Sequence, residues 1–265
     1  MLGFRLFLHS LRMILGNLGA AIRITIPVLA FFVMLVGFAS SGEISTQQIL
    51  LWIGDIASDR DPLADEAIGD IMGVIFLVGP IAFLWTATAW HRFILLDETP
   101  SIVGPRWNSS AMWRYFKACF VLVLIMFGAT YAVVSVGGML LASFVAMGLP
   151  RFVELVLAGM FINLPLTIIV YRLSPMLPSS AVGTRLSVVD AWAATRGATG
   201  ALVVLAVIPI VASYLIFQFV AMLVGAAAPV ALVLYIAAQW IASMLGISVL
   251  TTIYGHFVQG RELNA

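Results

Sequence analysis

Three kinds of side chain in this sequence could do chemistry, and each has to be weighed by its spacing. His9, His91 and His256 carry imidazoles, which titrate near neutrality and ligate metals, and each stands near the end of a long apolar run. Asp59, Asp61, Asp65 and Glu66 form a carboxylate cluster. Its spacing resembles a calcium loop but lacks the central Gly and terminal Glu of an EF-hand, so a solvated acidic face is expected. Asn163, Gln218 and Gln239 lie deep inside apolar runs. There, amides make interhelical hydrogen bonds or line a substrate path. Cys119 is a single cysteine in an apolar stretch, so it is expected to be a packed thiol outside any disulfide or thiolate cluster. No P-loop, H-E-x-x-H, C-x-x-C or G-x-S-x-G occurs. No catalytic residue, metal ligand or cofactor-binding residue is expected.

The elements that position these groups follow from composition. The 265 residues are 63% hydrophobic and 9% charged, with a mean hydropathy of +1.12. Soluble domains carry roughly 45–50% apolar and about 25% charged residues. The composition therefore excludes a soluble enzyme, a nucleic-acid binder and a disordered tail. About 20 mostly apolar residues cross a bilayer core as a helix. Six stretches qualify, approximately 23–40, 71–90, 118–147, 152–171, 201–225 and 229–254. The expected fold is an all-α polytopic membrane protein, with residues 1–265 forming one integral membrane domain.

Orientation follows from the basic residues of the short loops. Arg5, Arg12, Arg23, Arg92, Arg106, Arg114, Lys117, Arg172, Arg185, Arg196 and Arg261 fall on one side of the six spans, and only Arg60 and Arg151 on the other. The acidic residues between 43 and 70, with Glu154, lean the opposite way. Both termini are thus expected in the cytoplasm. A signal peptide with its core at 24–38 and a loose Phe38-Ala39-Ser40 site is the competing reading; the segment before it is too long and apolar for a charged n-region.

Residues 2–19 read as an amphipathic helix in the cytoplasmic interface. Phe4, Leu8, Leu11, Leu15 and Leu18 recur at helical spacing beside an Arg5, His9, Arg12 stripe. Ser187 with Asp190 three residues on resembles a capping box, predicting a short helix before the fifth span. Trp90, Tyr171 and Tyr254 close the three outward-to-inward spans at separations of 81 and 83 residues. Together these features predict an interfacial helix plus a membrane hairpin, used three times. The proline–acid–base signature of mitochondrial carriers is missing at the ends of the odd spans.

Inside the membrane, Ala238, Ala242 and Gly246 form a small-residue stripe suited to close helix contact. Ala142 and Ala146 repeat the pattern on span three. Pro27, Pro80, Pro165 and Pro209 interrupt four spans; simple kinks are the first expectation, and Asn163-Leu-Pro165 is the best candidate for a true break, of the kind that lines transporter sites. At the cytoplasmic surface, Trp90 pairs in sequence with Arg92, Trp113 with Arg114, and Trp192 with Arg196. Arg and Trp dominate binding hot spots, so these six are candidate partner-docking residues.

The segment from Tyr171-Arg-Leu-Ser-Pro-Met-Leu-Pro, the later Asp190-Ala-Trp-Ala-Ala-Thr-Arg-Gly and the Trp90-His-Arg-Phe-Ile-Leu-Leu run carry a resemblance. They resemble poorly characterised six-span bacterial inner-membrane proteins, similar to the membrane domain fused to some glycerophosphoryl diester phosphodiesterases. The resemblance covers most of the chain. The phosphodiesterase barrel of such fusions is not in this sequence, so the resemblance implies a location in a bacterial inner membrane and no enzymatic activity. The expected role is a non-catalytic accessory or scaffold protein whose partners are the lipid bilayer and another membrane or cytoplasmic protein. The alternative is a transporter or lipid-handling protein with a site near Asn163 and Pro165.

Overall fold

The computed structural model of the chain describes residues 1–41, 66–102 and 104–263. Of the acidic segment, Glu43, Asp55, Asp59, Asp61 and Asp65 lie outside the described residues. The described fold is all-helical. In chain order it comprises α1 (Leu2–Leu15), α2 (Leu18–Ser41), α3 (Glu66–Leu96), α4 (Ser109–Ala146), α5 (Arg151–Ala158), a π turn (Gly159–Asn163), α6 (Leu164–Leu173), α7 (Met176–Val182), α8 (Val188–Ala194) and α9 (Thr199–Phe257). Among the described residues, three helical stretches are long and apolar enough to cross a membrane, or up to five if each of two bent helix pairs is one span.

Local chemistry accounts for several boundaries. Asn108 caps α4 by accepting from the Ala111 N–H at 3.0 Å, meeting one of the orphan donors of a helix start. Ser187 caps α8 by accepting from the Asp190 N–H at 3.1 Å, and its hydroxyl donates to the Asp190 carboxylate at 2.6 Å. The expected N-cap is therefore present, although the Asp190 carboxylate meets the Ser187 hydroxyl rather than the Ser187 backbone N–H of a full capping box. α1 meets α2 at 80°, and α8 meets α9 at 95°. The repeat expected before span three takes another form. Trp113 lies within α4 itself, which runs unbroken for 38 residues.

The expected break at Asn163-Leu-Pro165 is a π turn. Pro165 has no N–H to offer the Phe161 carbonyl four residues earlier, and the backbone widens over Gly159–Asn163. Gly137 of α4 packs here. A Cβ at Gly137 would lie 3.0 Å from the Phe161 carbonyl oxygen, so any other residue would press on the turn and glycine suits this close approach.

α9 is helical through residues 226–228, where the sequence suggested a gap between two spans. It is nevertheless no straight rod. Fifty-nine residues at 1.5 Å each would extend about 88 Å. Yet Gly3 of α1 abuts the Ala201 carbonyl, while Ser10 of the same helix donates to Thr252 Oγ1 at 2.9 Å. Seven residues of helix separate Gly3 from Ser10 by about 10 Å. Both ends of α9 thus meet one short helix, and the helical run turns back between them. Leu6 sits among Leu202, Leu205, Val249 and Ile253, contributed by the two arms.

The buried face of α1 is Gly3, Leu6, Ser10 and Ile14. Phe4, Leu15 and Leu18 point outward, and Leu8 and Leu11 are half-buried. The apolar stripe seen in the sequence is therefore the outer face, and the packing face is built from smaller and partly polar residues. The span-six stripe also differs from expectation. Ala242 and Gly246 are exposed, and nothing lies within 4 Å of a Cβ at Gly246. The stripe closes against no other described helix, because the contacting face of this arm carries Met244, Ile247, Ser248 and Thr251 instead.

Candidate functional site

Several of the polar side chains that the fold brings together lie near the helix ends that Arg92, Arg114, Arg172 and Arg261 engage. Among them is His91, fully buried and one residue beyond the second apolar span. Its Nδ1 lies 2.8 Å from Thr251 Oγ1 and its Nε2 3.2 Å from the Tyr115 hydroxyl. The Thr251 hydroxyl donates to the Ile247 carbonyl, so toward His91 it can only accept. This assigns the proton to Nδ1 and leaves Nε2 to accept from Tyr115. Burial pushes the imidazole pKa down to about 3, so the ring is neutral at physiological pH. Burial likewise raises that of Tyr115.

Two further contacts repeat this arrangement. Thr195, at the end of α8, donates to the Arg172 carbonyl at 3.4 Å, and Ser10 on α1 bonds Thr252. Each of the three links joins a residue at or just before the start of one long apolar helix to the end of another. Tyr115 and His91 are 24 residues apart, Thr195 and Arg172 are 23 apart, and Ser10 with Thr252 closes the circle between the chain ends. The three aromatics matched in the sequence, Trp90, Tyr171 and Tyr254, are all buried.

The arginines clamp helix ends. Arg92 pairs with Glu98 through Nε and Nη2, and its Nη1 donates to the Ala181 carbonyl at 2.9 Å. Arg114 donates to the neighbouring Ser180 carbonyl at 3.2 Å. The two therefore meet on the last turn of α7, where unsatisfied carbonyls concentrate negative charge. Arg261 holds the carbonyls of Ile94 and Leu95 at the end of α3, and Arg5 reaches the Leu263 carbonyl. Hydrogen bonding from Arg92 holds the Glu98 carboxyl below its ordinary range.

This geometry corrects the three docking pairs. Trp90 is fully buried and packs on Phe93, so it is a core residue rather than a surface anchor. Trp113 is 60% exposed but stacks on Phe116 rather than pairing with Arg114. Trp192 lies under the guanidinium of Arg172, 4.7 Å from its ring centre, rather than beside Arg196. Trp113, Trp192 and Arg196 remain exposed; Arg92 and Arg114 are engaged on α7.

The mid-membrane amides do not converge on one site. Asn163 is exposed at the end of the π turn, and its carbonyl accepts from Thr167. Gln218 and Gln239 are exposed on opposite arms of α9, and Gln239 alone of the three lines a pocket between α2, α3 and α9. His9 and His256 line a small cleft beside Arg261 and Glu262, apart from His91. Among the described residues no group of His, Cys, Asp or Glu is arranged to hold a metal.

Sequence reasoning missed the His91–Tyr115–Thr251 cluster and the pocket. The signal was there in part. Thr86, Thr88, Ser248, Thr251 and Thr252 punctuate otherwise apolar runs, and all five are buried. Compared with protein families, curated proteins and solved structures, the chain matches none of them.

Proposed function

We propose that this chain is a non-catalytic accessory or scaffold protein of a bacterial inner membrane. In this reading it crosses the bilayer six times with both termini in the cytoplasm, and it comprises three units of interfacial helix and membrane hairpin. The observation that carries the reading is the use made of the cytoplasmic cations. Arg5, Arg92, Arg114, Arg172 and Arg261 donate to backbone carbonyls, and His91 sits neutral between two hydroxyls. Groups that would otherwise bind or transform a substrate are instead fastening helix ends together. The circular pattern of the three interhelix links supports the threefold unit, and the bias in Lys and Arg supports the orientation. The resemblance to the membrane domain of glycerophosphoryl diester phosphodiesterases agrees with a domain that works beside another protein.

Partner docking falls to the exposed residues of the candidate pairs, Trp113, Trp192 and Arg196. Trp192→Ala should reduce recovery of a stoichiometric partner in mild detergent, at matched expression, more than Asn163→Leu does. The opposite ranking, with both proteins folded, would replace the scaffold with the second reading. That reading is a transport or lipid-handling site near Asn163 and Pro165, favoured by the π turn there, a form of helix break frequent at functional sites. Cysteines placed at Asp61 and Arg185 test the orientation. An impermeant reagent should label the first in intact cells and spare the second.

A further inference from the structure

Between α2, α3 and the C-terminal arm of α9 lies a pocket of about 370 Å³. Its walls include Val28, Phe31, Ala82, Phe83, Met244 and Ile247. The volume falls within the roughly 300–1,000 Å³ range of small-molecule sites. Phe83, Gln239 and Ser243 are both lining and exposed, so the pocket opens sideways between the helices. All three lining segments belong to apolar stretches, so the mouth faces acyl chains rather than water. Apolar cavities stay dry, and an open one beside lipid is filled by lipid.

The polar atoms in the pocket narrow the occupant. The Trp240 indole N–H donates to Thr25 Oγ1 at 2.9 Å, and that hydroxyl donates in turn to the Ala21 carbonyl. This pair is satisfied. Thr86 is different, because its side chain lines the pocket, is 4% exposed, and its hydroxyl has no hydrogen-bond partner. A buried hydroxyl without a partner is costly and calls for one. Thr86 stands five residues along α3 from His91, about 7.5 Å deeper along the helix than the layer of buried polar groups. In the orientation proposed above that layer lies at the headgroups of the cytoplasmic leaflet, and the leaflet assigned here rests on that reading.

We propose that this pocket binds one acyl chain of a glycerophospholipid of the cytoplasmic leaflet, with an ester carbonyl accepting a hydrogen bond from Thr86. The site is separate from the docking surface of the cytoplasmic layer, and it stands whether or not that surface docks a protein. Thr86 orients the lipid, and Ala82 leaves the space that its chain occupies.

The test uses the full-length protein in nanodiscs of phosphatidylethanolamine and phosphatidylglycerol, with a small fraction of phosphatidylethanolamine bearing a diazirine in one acyl chain. After irradiation, label should be at least fivefold denser on Ala82, Phe83 and Met244 than on Phe127 and Tyr131, which are exposed on α4. Ala82→Phe should abolish the excess. Thr86→Val should reduce it severalfold, and Thr86→Ser should restore it. Should Ala82→Phe fail to elute as a single folded species, Val28→Phe fills the pocket from the opposite wall and carries the same expectation. Label spread evenly over the apolar surface would overturn the proposal, as would pocket labelling that survives both filling variants. A diazirine-bearing free fatty acid serves as the second probe. If it labels the pocket and the phospholipid does not, the phospholipid assignment falls. Co-purification of a stoichiometric second protein that protects these residues from label would overturn it too.

Discussion

Acidification should loosen this protein through His91 in a way that can be calculated in advance. The ring is fully buried, its Nδ1 donates to Thr251, its Nε2 accepts from Tyr115, and burial pushes its pKa from the ordinary 6.5 to about 3. Above pH 6.5 the ring is neutral in both folded and unfolded chains, so it contributes no pH dependence. Below pH 6.5 the unfolded chain takes up a proton that the folded chain refuses, and stability falls as pH falls, until the folded group titrates near 3. Each pH unit in that window removes about 1.4 kcal/mol at most. Between pH 6.5, where half of the unfolded imidazoles are already charged, and pH 4.5 the loss attributable to His91 is therefore about 2.3 kcal/mol. The measurement is reversible denaturant unfolding in mild detergent, followed by circular dichroism at half-unit pH steps. The comparison is His91→Asn, which keeps a donor toward Thr251 but cannot titrate. The variant should be less stable at pH 7.5, by about 1–3 kcal/mol for the unmet Tyr115 hydroxyl, and its pH slope should be flatter by nearly the full amount. His9 and His256 are common to both proteins and cancel in the difference. Parallel slopes for the two proteins would refute the reasoning, because they would mean that His91 is solvated or charged in the folded state.

Other substitutions test the packing. Gly3→Ala places a methyl group against the Ala201 carbonyl and should cost about 1–3 kcal/mol of unfolding free energy, whereas Gly19→Ala, with nothing within 4 Å, should leave it unchanged or raised. Ser187→Ala removes the cap of α8 and should cost about 1 kcal/mol in the same assay. Ala242→Leu, at an exposed position on α9, should change stability by less than about 0.5 kcal/mol, and a large loss would mean that another copy or partner covers this face.

What could be read from the sequence was what depends on neighbours along the chain. The apolar runs, the Ser187–Asp190 cap and the break before Pro165 are local, and each is present in the structure. What depends on partners far along the chain was harder to see. The packing face of α1 escaped notice because Gly3 and Ser10 do not register as hydrophobic, although they are what allows α1 to meet Ala201 and Thr252. Charge counting treated the arginines as surface cations. Their real partners are carbonyl oxygens, which no sequence pattern displays. Pairing Trp192 with Arg196 by proximity in sequence likewise failed, since Arg172 reaches the ring from another helix. Nothing along the chain distinguishes Thr86, whose missing partner becomes visible only when α2 and α9 enclose it.

The contact between Ser10 and Thr252 also sets an order of events during synthesis. It joins residues 242 positions apart, and at about 5–20 residues per second a ribosome needs roughly 12–50 s to travel between them. α1 therefore waits for its partners in two stages, first the arm of α9 with Leu202 and Leu205 and only later the arm with Val249, Thr252 and Ile253. Its outward face, with Phe4 and Leu15, is apolar enough to lie against lipid meanwhile. Until residue 252 has been made, the fold stays open along the seam between α1 and the second arm of α9.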